Sequence, residues 1–521
     1  MEKKYTQTEF SKGLFELNEE TLKELADSKY MNADLVPTSA TERTWNTYNI
    51  GMLWVGMVIC ITGFSYAAAL IALGMGPIPA LINVLIGNLI VLIPMQLNSH
   101  AGTRYGVPFP VFARISFGRL GSHLPSLMRA VVAAGWCAVQ CWVGGAAFSS
   151  IISIFSSSWD TEGMGRFIGF GLFLVVTLIL GLRGSEGIKK LESLGSPILI
   201  VLCIGLVCWI VSLGNDCGVS VGDMFLAGNE EATLAANGGF LYVFLAGITS
   251  NIAVWATLAL NIPDFSRYAK SQKAQFRGQL YAMPTSVIVL ATIGAMFAKV
   301  TEVAYGQAQF DPTAVLLHLN NKVVVLIVSL GVIIGTLTTN MAANVVAPAN
   351  GFANLAPRKI SYKVGIVITC ILCIVYRPWW MYGDAGAFMF AWLGTCGTIL
   401  GPVAAILVAD YFVIKKKRIN VKALYDAKDD TYNYNKGWNI RAIAAWVLGF
   451  IVPLLGKFGI GGTVTMWLDA NSYIVGFLIA FVLYILFMKS EKKSYVSEEK
   501  FEEITEKKYA EDKKEDILQN V

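Results

Sequence analysis

The sequence predicts an all-α integral membrane protein with about twelve transmembrane helices. Two observations carry this. The apolar residues lie in long runs free of charge, and the Lys and Arg side chains between those runs fall on alternate loops. With 55% hydrophobic and 15% charged residues over 521 positions, and a mean hydropathy of +0.56, a single soluble core could not hide so much apolar surface.

Residues 1–44 are polar and mixed in charge and lack the short apolar segment and cleavage site of a secretory signal, so a cytosolic N-terminal segment is expected. Each backbone amide in hydrocarbon must be paired within its own segment, which sets about 20 mostly apolar residues as the length of a span. The stretches 48–73, 78–98, 125–152, 166–183 and 194–213 meet this requirement inside a first region, 45–213. Residues 214–238 carry Asp216, Asp223, Glu230 and Glu231 with no Lys or Arg, which suits an outside loop. Five further stretches, 239–262, 279–299, 323–346, 361–377 and 385–412, fall inside 239–414. A basic cytosolic loop follows at 415–438, then stretches 440–459 and 471–488 within 439–488. The last residues, 489–521, alternate Lys with Glu and Asp and are expected to be a solvated cytosolic tail.

Bases accumulate on the cytosolic side of membrane proteins. Here they mark every second turn: Arg104, Arg114 and Arg119; Arg183, Lys189 and Lys190; Arg267, Lys270, Lys273 and Arg277; Arg358, Lys359 and Lys363; Lys415, Lys416, Lys417 and Arg418. The expectation is a multi-pass plasma-membrane protein with both termini cytosolic, its partners the lipid bilayer and a small solute, and a monomer. The net charge of +5 is spread over separate loops and forms no single patch for nucleic acid.

Enzyme chemistry has no footing in the pattern. Of nine cysteines, Cys60, Cys137, Cys141, Cys203, Cys208, Cys370, Cys373 and Cys396 fall within spans and read as small packing residues. Cys370 and Cys373 form a CxxC without a second pair or a nearby His, so no metal or redox cofactor is expected. His100, His123 and His318 show no metal-ligand spacing, and no nucleophile has an evident base.

The centres of the spans carry no Asp, Glu, Lys or Arg, and the nearest acids, Asp264 and Asp410, sit at span ends, where capping and gating contacts account for them. A transported solute should therefore be neutral and polar, and a coupling cation should use uncharged oxygens. Trp54-Val55-Gly56-Met57-Val58-Ile59-Cys60-Ile61-Thr62-Gly63 interrupts the first span with glycines and β-branched residues, and Gly335-Thr336-Leu337-Thr338-Thr339-Asn340 concentrates hydroxyls in the eighth. An unwound helix frees carbonyls for sodium, although a Thr also bonds its own helix carbonyl. In the third span Trp136 and Gln140 are four apart and share a helix face, an indole beside a carboxamide that suits a flat heterocycle. Helix packing accounts equally well for that spacing. Trp255 and Asn344 add a second ring and a second amide.

Gly135-Trp136 with Gln140, Trp255 with Leu260-Asn261-Ile262-Pro263-Asp264-Phe265, Thr338-Thr339-Asn340-Met341-Ala342-Ala343-Asn344, and Gly401-Pro402 leading to Asp410-Tyr411-Phe412 resemble the nucleobase:cation symporter family 1 across about residues 40 to 490. The resemblance implies two inverted repeats of five helices plus two peripheral helices, as in the leucine-transporter class, with spans 1 and 6 broken. It implies secondary active uptake of a nucleobase or allantoin by cation-coupled alternating access. Residues matching Trp136 and Trp255 would sandwich the ring, those matching Gln140 and Asn344 would bond its edge, and sodium would lie between the backbone at Gly56 and Ile59 and the residues matching Gly335, Thr338 and Thr339. Cys60 stands where several relatives place an amide, and Asn251 is a further amide candidate, although capping or packing accounts better for it. Sodium is expected over a proton because the midplane lacks a titratable group. The other reading within the same fold is a sodium-coupled carrier of amino acids or of another small solute, such as a hydantoin or a thiamine-like molecule.

Overall fold

The computed structural model describes residues 5–31, 35–183, 185–319, 321–356, 359–491 and 493–508; Arg358, the side chains of Lys189 and Lys190, and the tail beyond Lys508 fall outside them. Among the described residues, eight helices are long and apolar enough to cross a membrane, and three sharply bent helix pairs raise this to as many as eleven. The remaining expected stretch, 361–377, is the apolar helix Tyr362–Val375, whose 14 residues fall short of a full span by length alone.

The first span is broken as expected. Helix Thr47–Val58 gives way to a 3-10 turn, Ile61–Phe64, and helix Ser65–Ala72, and the two halves meet at 81°. The sixth span corrects the expectation: Phe240–Asn261 is one continuous helix. It holds a single glycine, Gly247, and no proline, and the Ser250 hydroxyl bonds back to the Ala246 carbonyl at 2.8 Å, so nothing local unwinds it. In the eighth span Lys322–Asn340 runs into a π-helical turn, Met341–Val345, before Val346–Leu355.

A repeat of five is visible in the packing. Exchanging each of spans 1 to 5 with the span five places later maps one contact onto another: span 1 against 7 becomes 6 against 2, 3 against 4 becomes 8 against 9, and 5 against 7 becomes 10 against 2. The core is continuous and runs through the middle of this bundle, while Ile93, Val175, Ile327 and Val482 stay exposed, as expected of lipid-facing positions.

At the end of the bundle that carries both termini, strand Gln7–Ser11 pairs antiparallel with Leu14–Leu17 and parallel with Thr505–Lys507, in register Gln7 to Leu17 and Gln7 to Thr505. The tail is thus not wholly solvated, because residues 498–507 form a helix and a strand docked on the N-terminal hairpin. Arg43 ties the hairpin to the bundle through the carbonyls of Phe15, Thr38 and Thr103. Nearby, buried Asp410 pairs with buried Lys415 at 3.0 Å and accepts from Ser116 at 2.9 Å, and Asp264 accepts the Phe109 amide at 2.7 Å. Both acids bind elements of this end together, in keeping with a capping role.

Candidate functional site

The break in the first span builds the site. Ile59 takes φ −70° and ψ 83°, and Cys60 is extended at φ −137° and ψ 158°. The Cys60 amide donates to the Val58 carbonyl at 2.7 Å instead of to Gly56 four residues back, which releases the Gly56 carbonyl from its helical partner. Gly63 allows the chain to turn so closely: a Cβ there would lie 2.8 Å from Leu290 Cδ1 and 3.0 Å from the Val58 carbonyl.

Cys60, Trp136, Gln140, Trp255, Thr339 and Asn344 line one narrow cavity of about 30 Å³, so a ring-sized solute has to part these side chains to enter. Four spans therefore contribute the expected residues to one place. Each indole is held by an edge-on ring: Trp136 by Trp392 at 4.7 Å and 66°, and Trp255 by Trp54 at 5.5 Å and 72°. The π turn in the eighth span brings Ala343 and Asn344 into the lining together, and the Ala343 carbonyl accepts from Arg129 Nη2 at 3.2 Å.

The polar atoms of the lining are only partly paired. Gln140 Nε2 donates to Thr62 Oγ1 at 3.1 Å, and Thr62 Oγ1 lies 3.3 Å from Cys60 Sγ. Gln140 Oε1, Trp136 Nε1, Trp255 Nε1 and Thr339 Oγ1 are buried without a protein partner. Unpaired buried groups are costly, and this lining leaves two N–H donors, a carbonyl and a hydroxyl open to a partner. A ring with an N–H beside a C=O presents both.

Of the two readings of Asn251, the structure shows the packing one. Asn251 does not line the cavity; its Nδ2 donates to Asn83 Oδ1 at 3.0 Å and to the Gly247 carbonyl at 3.1 Å, which packs the sixth span on the second. The expected cation ligands divide. Thr338 donates to the Ile334 carbonyl at 2.8 Å, leaving its oxygen able to accept, whereas the Thr339 hydroxyl is unpaired. The 3-10 turn after the break packs on this eighth-span helix, which also carries Gly335. The Ile59 side chain lines a separate apolar cavity with Leu290 and Ile293, so only its backbone is available to an ion. Backbone carbonyls and hydroxyls are hard oxygen donors, the kind of ligand a hard cation takes. The carboxyl and ammonium groups of the chain are absent from the cavity lining.

Thr62, within the first-span run singled out above, also lines the cavity; Tyr66 and Thr257 line it too and escaped the sequence reading, although Tyr66 follows Thr62 by four, the spacing of one helix face. The supporting rings Phe388 and Trp392 escaped it too; the aromatic run Phe388-Met389-Phe390-Ala391-Trp392 was the available signal. On the side away from the termini a second cavity includes Trp142, Arg166, Asp311 and Tyr382, with Arg166 and Asp311 paired at 2.8 Å. Ring contacts from Tyr382 to Phe388 at 5.0 Å, and from Phe388 to Trp136 at 6.2 Å, lead from that cavity to the site.

Residues 36–478 match a family described as permeases for cytosine/purines, uracil, thiamine and allantoin. The chain is 33% identical to the allantoin permease of Bacillus subtilis over 471 residues, 89% of this chain and 94% of that protein. It is 36% identical to a purine-uracil permease of Arabidopsis thaliana over 441 residues, 83% of this chain and 72% of that one. A solved nucleobase-cation-symport-1 family transporter, in a closed conformation with bromovinylhydantoin bound, has a TM-score of 0.74 at 22% identity and covers 91% of this chain and 99% of its own. That likeness shows the fold. Matched along most of its length, the chain belongs to the cytosine/purine, uracil, thiamine and allantoin permeases, the nucleobase:cation symporter family 1, and has the all-α membrane fold of the leucine-transporter type.

Proposed function

We propose that this protein takes up a neutral planar heterocycle, a nucleobase or allantoin, by alternating access coupled to sodium, in the plasma membrane with both termini cytosolic. The observation that carries the reading is the single cavity in which Trp136, Trp255, Gln140 and Asn344 meet beside the broken first span, with two indole N–H groups and an amide carbonyl left open. Relatives named as allantoin, purine-uracil and uridine permeases support the substrate class. Trp136 and Trp255 stack on the ring faces, and Gln140 and Asn344 select its edge. Cys60, a weak hydrogen-bond partner, leaves edge recognition to those amides. The oxygens at Gly56, Ile59, Gly335, Thr338 and Thr339 take the cation, and filling both sites favours closure of the first span against the eighth. Sodium is favoured over a proton because the lining holds no carboxylate, amine or imidazole. The protein works as a monomer, since the cavity is built within one chain.

The test is uptake into proteoliposomes of uracil, cytosine, hypoxanthine, urate and allantoin, with and without an inward sodium gradient and with leucine as competitor. Saturable, sodium-stimulated accumulation of at least one heterocycle, unaffected by leucine, is expected. Uptake of leucine alone, or heterocycle uptake driven only by a proton gradient, would overturn the substrate or the coupling respectively.

A further inference from the structure

Three sulfur atoms converge behind the cavity wall. Cys137 and Cys141, one turn apart on the third span, and Cys373 on the ninth hold their Sγ atoms within 4.8 Å of one another, all three buried and none in a disulfide. The fully buried carboxamide of Asn340, from the eighth span, completes the group: Nδ2 lies 3.4 Å from Cys137 Sγ and 3.7 Å from Cys141 Sγ, while Oδ1 has no partner.

Sulfur is a weak hydrogen-bond acceptor, so this amide is poorly served by its surroundings. Turning it by half a revolution about its last bond exchanges Nδ2 and Oδ1 and presents the oxygen to the sulfurs. The oxygen then lies beside the sulfurs of Cys137 and Cys141, with Cys373 Sγ within 4.8 Å of both. Zinc–sulfur bonds of about 2.3 Å at tetrahedral angles set sulfurs about 3.8 Å apart, so sulfurs up to 4.8 Å apart close on an ion by moving about 0.6 Å each toward their centre. We propose that Cys137, Cys141, Cys373 and Asn340 Oδ1 form a tetrahedral site for a thiophilic divalent ion of the zinc class.

Each metal–sulfur bond forms as a thiol gives up its proton to bulk water, so three protons leave as the ion enters, and one divalent ion with three thiolates and a neutral amide oxygen carries one negative charge. Soft sulfur donors discriminate against sodium, calcium and magnesium, so this site does not compete with the oxygen set at the first-span break. Its position ties it to the cavity without being part of it. Cys137 and Cys141 directly follow the lining residues Trp136 and Gln140, and Asn340 directly follows Thr339. An ion there would fasten the third, eighth and ninth spans one side chain behind the solute.

The full-length protein in detergent, titrated with Cd²⁺, should show one equivalent of sulfur-to-cadmium ultraviolet absorption. Cys373→Ala and Cys141→Ala should each weaken this binding about 100-fold, whereas Cys370→Ala, the other half of the CxxC, should leave it intact. Zinc-edge X-ray absorption of the wild-type protein needs no variant and should show sulfur neighbours near 2.3 Å beside a lighter atom. A zinc shell without sulfur, or cadmium absorption that survives Cys373→Ala or is lost in Cys370→Ala, would overturn the proposal. None of these readouts depends on transport.

Discussion

Replacing Gln140 with Leu separates a recognition role from a packing role, because the two predict effects of different size on different quantities. In the structure this side chain makes one hydrogen bond, from Nε2 to Thr62 Oγ1 at 3.1 Å, and leaves Oε1 buried and unpaired. Leucine has a similar volume and no polar atoms. The folded protein loses a bond worth about 1 kcal/mol and is relieved of an unpaired carbonyl costing about 1–3 kcal/mol, so its stability should hold or rise by up to about 2 kcal/mol. The bound solute fares worse, since its ring N–H loses its acceptor in a site closed to water. That penalty of about 1–3 kcal/mol corresponds to about 5- to 150-fold weaker binding. Thermal unfolding of the purified variant reports the first quantity, and isothermal titration with the heterocycle bound by the wild-type protein reports the second. A dissociation constant within about twofold of wild type in a well-folded variant would refute the edge-recognition argument. A large loss of stability would show that Gln140 is interhelical glue instead.

At the cation site, Thr339→Val removes an unpaired hydroxyl and Thr338→Ala one that is already bonded within its helix; both should raise the sodium concentration needed for half-maximal uptake, by about tenfold for the former and less for the latter. Lys415→Met leaves the Asp410 carboxylate buried beside Ser116 without its ion partner and should cost about 3–5 kcal/mol in unfolding measurements, most of it recovered in the double variant with Asp410→Asn. Gly294→Ala would set a Cβ 2.0 Å from the Phe64 carbonyl and push on the first span just past its break, so uptake and melting temperature should both fall. Gly171→Ala, with open space around it, should behave like wild type in the same assays.

Much of the fold was legible because a span is written in composition and a loop in charge, both local properties. The break at Ile59 and Cys60 was legible for the same reason, glycine and β-branched residues being concentrated there. The expected break in the sixth span came by correspondence with the first, and the local sequence overrules it. Among the amides, Asn251 sits four residues before Trp255 and nominally shares its face, yet one turn is about 5.4 Å along the axis, far enough to meet Asn83 of the second span instead of the cavity. Asn344 reaches the lining through a π turn, which no simple periodicity anticipates. The sulfur cluster joins residues of three spans, Asn340 lying 203 positions from Cys137, and the docked tail joins residues 498 positions apart. Sequence spacing carries no trace of either.

The account stands on the cavity between the two indoles. A structure of the protein saturated with its best-binding heterocycle and sodium tests this most directly. The predicted result is a flat ring between Trp136 and Trp255 with its polar edge on Gln140 and Asn344. A ring bound elsewhere, or a cavity filled by protein side chains in the loaded state, would contradict it.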